Sequence, residues 1–201
     1  MKTDVITISS KGTRMEAALL QADKVAAYKE MSRKNALHLR LLAEEMMGMM
    51  RSITGDVTGK FWIQDEDGVY ELHLQTEKWL TSETREKLLA ASTTGKNEKP
   101  KGLMGRLRNF FEIGADEDVA AFSNPLILPG MYEYTTAPAM DWEWSMIHYE
   151  EALEACKPEK AEAVQEARDE LEKSVVAHVA DDIKVGIKGR TIEMTILKKM
   201  T

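Results

Sequence analysis

Cysteine is almost missing from this chain. Cys156 stands alone among 201 residues, so no internal disulfide can form, and a reducing compartment is the natural setting. It lies in EALEACKPEK, at an expected helix end, with no special setting visible for a catalytic thiol. Long apolar runs are missing too. No stretch approaches the ~18 residues that a membrane-spanning helix needs. The opening MKTDVITISSKG lacks a charged-then-apolar leader pattern. The expectation is a cytoplasmic protein without a membrane partner. Excess positive charge is also lacking. Net charge is -7 and the pI about 5.3, so the surface as a whole repels nucleic acid and anionic lipid. No nucleic-acid partner is expected.

Several catalytic signatures are absent. There is no GxxxxGK[ST] phosphate loop, no HExxH and no G-x-S-x-G elbow. The four histidines, His38, His73, His148 and His178, are scattered without ligand spacing, so no metal site is expected.

What remains is the balance of a globular protein, with 43% apolar and 30% charged residues. DVITIS (4–9) reads as a strand. Residues 14–31 repeat apolar side chains at helical spacing: Met15, Ala18, Leu19, Ala22, Val25 and Ala26. Ser32 is placed to cap a second helix over 33–53, whose later half, LAEEMMGMMRSI, is the more apolar. KFWIQDEDGVYELHLQ (60–75) alternates on both sides of Asp67-Gly68, a dipeptide suited to a tight hairpin turn. Phe61 and Ile63 share one face of the first strand, and Tyr70, Leu72 and Leu74 one face of the second.

Residues 82–92 and 102–113 suit short helices. Residues 123–140, punctuated by Pro125, Pro129 and Pro138, suit irregular structure. A helix is expected over 141–155 and another from Pro158 to about residue 180. IKVGI and TIEMTIL alternate around KGR as a closing hairpin. These elements predict one domain over 1–201, with 114–160 an insertion or irregular segment within it. The fold class is α/β (α+β): a two-layer sandwich, with a mixed, mostly antiparallel sheet of about five strands and helices on one face.

The order of strand, helix, buried helix, hairpin and glycine-led helix resembles the anti-sigma-factor serine kinases of the GHKL (Bergerat-fold) superfamily. The resemblance spans residues 1–113 and the closing strands. In that family the second helix carries E-x-x-x-N: the glutamate positions the attacking water or hydroxyl, and the asparagine holds magnesium. Here Glu45 falls on the glutamate position, as candidate catalytic base, and Met49 stands where the asparagine belongs. A thioether is no ligand for a hard cation. The family's adenine-reading D-x-G-x-G is not written in LHLQTEKWL after the hairpin. KGLMGRLRNF resembles its phosphate-binding helix start, which makes Lys101, Gly102, Gly105 and Arg106 candidate phosphate contacts.

Each feature also has a plainer reading. Glu45 suits the edge of a buried helix, paired with Arg40 or Arg51 or hydrated. Met46, Met47, Met49 and Met50 suit core packing as well as an adaptable groove. The basic stretch of Lys96, Lys99, Lys101, Arg106 and Arg108 suits a solvated loop. Trp142 and Trp144 either anchor the proline-containing segment to the core or form a partner-binding surface. The resemblance, with Met49 in place of asparagine, implies a regulatory or protein-binding module that has lost nucleotide turnover. Such a module is not an enzyme, needs no cofactor and acts through a protein partner. Two alternatives stay open. One is a divergent ATP-binding serine/threonine kinase of the anti-sigma-factor type, using ATP and magnesium. The other is an unrelated α/β sandwich with a structural or small-ligand role.

Overall fold

The computed structural model describes residues 1–52, 56–77, 103, 141–155, 161–188 and 191–200. The chain enters through β1 (Ile6–Ser9), followed by helices α1 (Met15–Tyr28) and α2 (Arg33–Ser52). The hairpin β2 (Thr58–Glu66) and β3 (Val69–Glu77) comes next. Later come β4 (Asp141–Ser145), α3 (Met146–Ala155), α4 (Ala161–Glu172) and α5 (Val175–Val179). The hairpin β5 (Asp182–Lys188) and β6 (Thr191–Lys199) follows them.

The strands form one six-stranded sheet in the order β1-β2-β3-β6-β5-β4, and every neighbouring pair is antiparallel. Two expectations need correction. The sheet has six strands rather than about five, and no described pair is parallel. The added strand is β4, in a stretch expected to be helical. DWEWS alternates polar and aromatic residues, the period of a strand, before helical spacing resumes at Met146. Within the segment expected to be irregular, 114–140 lies outside the described residues, whereas 141–155 supplies β4 and α3. The single helix expected from 158 to 180 is two in the structure. Ser174 separates them, and its side chain accepts a hydrogen bond from the Ala177 amide at the start of α5.

The hairpin turn forms as its sequence dictates. Asp67 and Gly68 both adopt positive φ, 49° and 79°, the left-handed geometry that matches the twist of the flanking strands. Ser32 likewise caps α2, its hydroxyl accepting from the Asn35 amide at 3.2 Å.

Strand alternation sorts side chains between two faces. One face carries Ile8, Phe61, Ile63, Leu72, Leu74, Ile183, Val185, Met194 and Ile196, each at most 1% exposed. Each such side chain contributes about 1.5–3 kcal/mol by leaving water. The described helices pack into the same core through Ala18, Ala22, Leu39, Leu42, Leu153, Ala167 and Val176. The opposite face carries Lys60, Trp62, Gln64, Glu71, His73, Gln75, Glu193 and Thr195, all exposed or half-buried.

Candidate functional site

On α2, the buried residues Leu39, Leu42, Ala43, Met46, Met47, Met49 and Met50 fit one arc of roughly 160° at the helical step of about 100° per residue. The methionines therefore belong to the core: Met46 and Met50 are fully buried, and Met47 and Met49 are 4% exposed. Unbranched thioethers suit this position, because they fill the irregular gap between helix and sheet. Gly59 on β2 shows how tight the gap is. A Cβ there would sit 3.3 Å from Met50 Cε and 3.1 Å from Leu74 Cδ1.

Glu45 lies just outside the arc, beyond Met49, and is half-buried. Arg40, one of its expected partners, instead pairs with Asp23 and with Glu44, the latter at 3.2 Å. Met49, one helical turn after Glu45, lies at the edge of the buried arc and belongs to the core cluster.

The other sequence candidates divide. Lys101, Gly102, Gly105 and Arg106 lie outside the described residues. The backbone of Trp142 pairs with Ile187 in the sheet, and its side chain lies outside the described set. Trp144 is 7% exposed, with its ring 5.7 Å from that of Tyr149, and so is seated in the core. The structure does not bring Glu45 and Trp144 together.

Two clusters escaped the sequence reading. The first is at the tip of the β2–β3 hairpin. Asp65 follows Phe61 and Ile63 on the inward face of β2 and is 6% exposed. A carboxylate there needs partners. Lys29 Nζ, delivered by the C-terminus of α1, donates to its Oδ2 at 2.5 Å, and the Met1 ammonium lies 3.7 Å from the same oxygen. The hydrogen bond from Lys29 holds the Asp65 carboxyl below its ordinary range, against the opposing pull of burial. Lys29 is raised in turn, by the hydrogen bond to Asp65 first. Burial pushes the Tyr70 phenol up, and the neighbouring Asp65 charge adds to the effect. Met1, Lys29, Asp65, Glu66, Asp67, Gly68 and Tyr70 line an open cavity of about 410 Å³. The signal in the sequence was the third step of the alternation, where an aspartate replaces an apolar residue.

The second cluster lies on the outward face. Trp62 and His73 are direct cross-strand neighbours, stacked at 4.7 Å with an 8° interplanar angle. Lys2 Nζ sits 5.0 Å from the centre of the Trp62 ring. His73 Nδ1 lies 2.9 Å from Glu193 Oε1 and 3.2 Å from Thr195 Oγ1. Its Nε2 is 3.3 Å from Glu71 Oε2, without hydrogen-bond alignment. This row of polar and aromatic pairs fixes the register of β2, β3 and β6. It also leaves an aromatic and charged band on the sheet surface.

Among the described residues, no three His, Cys, Asp or Glu side chains are grouped to hold a metal ion. No described helix is long and apolar enough to cross a membrane. Comparison with protein-family models, curated proteins and solved structures finds no match.

Proposed function

We propose that the chain is a regulatory, protein-binding module on a GHKL-like scaffold that does not turn over nucleotide. The observation that carries this reading is the placement of Met49. Its side chain is 4% exposed and packs with the core, where the resembled kinases need an oxygen ligand facing a metal-bound phosphate. A base at Glu45 would then work without a divalent cation to template the reaction. The outward face of the sheet supports the binding half of the proposal. Trp62, stacked on His73 there, is a residue type enriched at protein interfaces, and Glu71 and Glu193 lie beside the pair as charges suited to a polar rim.

The test is direct. Thermal unfolding with increasing ATP and magnesium is expected to show no shift. A saturable rise of melting temperature would instead establish nucleotide binding and promote the divergent-kinase reading. For the binding half, a partner retained by the native chain is expected to be lost on Trp62→Glu. It should be kept on Leu20→Glu, at a site 52% exposed on α1. A partner indifferent to Trp62 would remove the sheet face from the proposal.

A further inference from the structure

The buried arc of α2 uses one side of the helix and leaves the other to solvent. At the helical step of about 100° per residue, Leu37, Leu41 and Gly48 fall within roughly 40° of one another, in the middle of the side opposite the arc. Leu37 is 62% exposed. Leu41 is half-buried and belongs neither to the core nor to the apolar residues packed against it. Among the described residues, a Cβ on Gly48 would meet nothing within 4 Å, so no neighbour explains a residue that weakens a helix. Lys34 and Glu44 lie along the same side, and both are exposed. Positions 34, 37, 41, 44 and 48 alternate steps of three and four residues, the repeat by which one helix follows another.

We propose that α2 pairs with the α2 of a second copy of this chain, antiparallel about a two-fold axis. The charges select both the occupant and its direction. In an antiparallel helix pair, the two kinds of seam position meet each other across the axis. Leu37 then faces Leu41 of the second copy, and Leu41 faces its Leu37, as two apolar layers. Lys34 faces Glu44 of the second copy, and Glu44 faces its Lys34, as an opposite-charge layer at each end. A parallel pair would set lysine on lysine and glutamate on glutamate. Glu44 already accepts from Arg40 Nε through Oε1 at 3.2 Å, and Arg40 also holds Asp23. Those pairs stay in place, because the carboxylate of Glu44 has a second oxygen to offer the lysine. Gly48 lies one layer further out, where bare backbone gives room for the α1–α2 turn of the second copy. The leucines supply the attraction, while the exposed ion pairs add little strength and set the direction. The contact lies on the helix layer and leaves the outward sheet face open. It goes beyond the functional reading above and does not depend on it.

Analytical ultracentrifugation of the full chain tests this, in reductant so that Cys156 cannot link two chains. Over about 1–200 μM the mass is expected to rise from 22.7 kDa towards twice that value. A chain that stays monomeric throughout would overturn the proposal. Leu37→Lys should weaken association at least ~10-fold, with melting of the dilute monomer unchanged because the side chain is already exposed. Lys34→Glu and Glu44→Lys should each weaken self-association at least ~10-fold, since each variant alone places like charges in both end layers. Mixed in equal amounts, the two variants should associate within ~3-fold of the native affinity, because every end layer again joins opposite charges. Misfolding of either variant could not produce that rescue. Variants that fail to rescue each other, or a dimer indifferent to Leu37→Lys, would sink the antiparallel pair.

Discussion

Replacing Met49 with asparagine installs the residue type that the proposed GHKL-like reading would need there for a metal ligand, and the packing around α2 sets the cost. Met49 is 4% exposed and belongs to the buried arc of α2. Losing its apolar burial removes about 1.5–3 kcal/mol. Placing an amide there without a full set of partners costs about 1–3 kcal/mol more. Asparagine keeps part of the volume, so Met49→Asn should destabilise the fold by about 3–5 kcal/mol. For a chain of this length that lowers the melting temperature by roughly 6–20 °C, at ~2–4 °C per kcal/mol. Met49→Leu, which conserves volume and character, should cost less than about 1.5 kcal/mol. The assay is thermal and urea unfolding of the three proteins, each with and without ATP and magnesium. The expected pattern is a large loss for asparagine, a small one for leucine, and no nucleotide effect in any. A Met49→Asn protein as stable as the native one and further stabilised by ATP with magnesium would refute the argument. It would mean that position 49 faces a nucleotide cavity and not the core.

Other outcomes rest on the same kind of contact. Because Lys29 holds the Asp65 carboxyl below its ordinary range, this pair contributes stability above the unfolded carboxyl's pKa. The contribution is lost as pH falls through the lower, folded value. Lys29→Met should therefore lower the melting temperature at neutral pH and converge on the native curve in strong acid, as read by unfolding from pH 7 to 2. An unchanged gap across that range would contradict the assignment. Gly59→Ala should cost about 1–3 kcal/mol, since its Cβ would meet Leu74 Cδ1 at 3.1 Å and the Gln75 carbonyl at 3.3 Å. Urea unfolding measures it, and a neutral result would show that Met50 and Leu74 yield freely. Ser174→Ala should cost about 0.5–2 kcal/mol by removing the cap of α5, a difference visible in the same assay.

Much of this architecture was legible because local chemistry and tertiary packing agree. The helices expected over 14–31 and 33–53 appear as Met15–Tyr28 and Arg33–Ser52, and both hairpins form where the alternation placed them. Asp67-Gly68 needed only local geometry to be read. The strand β4 was missed because DWEWS runs directly into helical spacing, and five residues of alternation were absorbed into the longer pattern. The site was less legible for a physical reason. A carboxylate on an inward strand position is intelligible only once its cations are known. Lys29 comes from the end of α1 and Met1 from ahead of β1, and no spacing in the sequence announces that convergence. Trp62 and His73 were likewise invisible as a pair until the register of β2 against β3 set them side by side.

The strand order has a consequence for how the molecule is made. β3 and β6 are partners in the middle of the sheet, joined from Val69↔Lys199 to Glu77↔Thr191. On the ribosome, the first hairpin emerges long before the strand that will close its inner border. The nascent chain must carry the apolar row of Tyr70, Leu72 and Leu74 with one flank unzipped until residues 191–199 have been synthesised. Native pairing then spans more than a hundred intervening residues, which makes it a late and slow step.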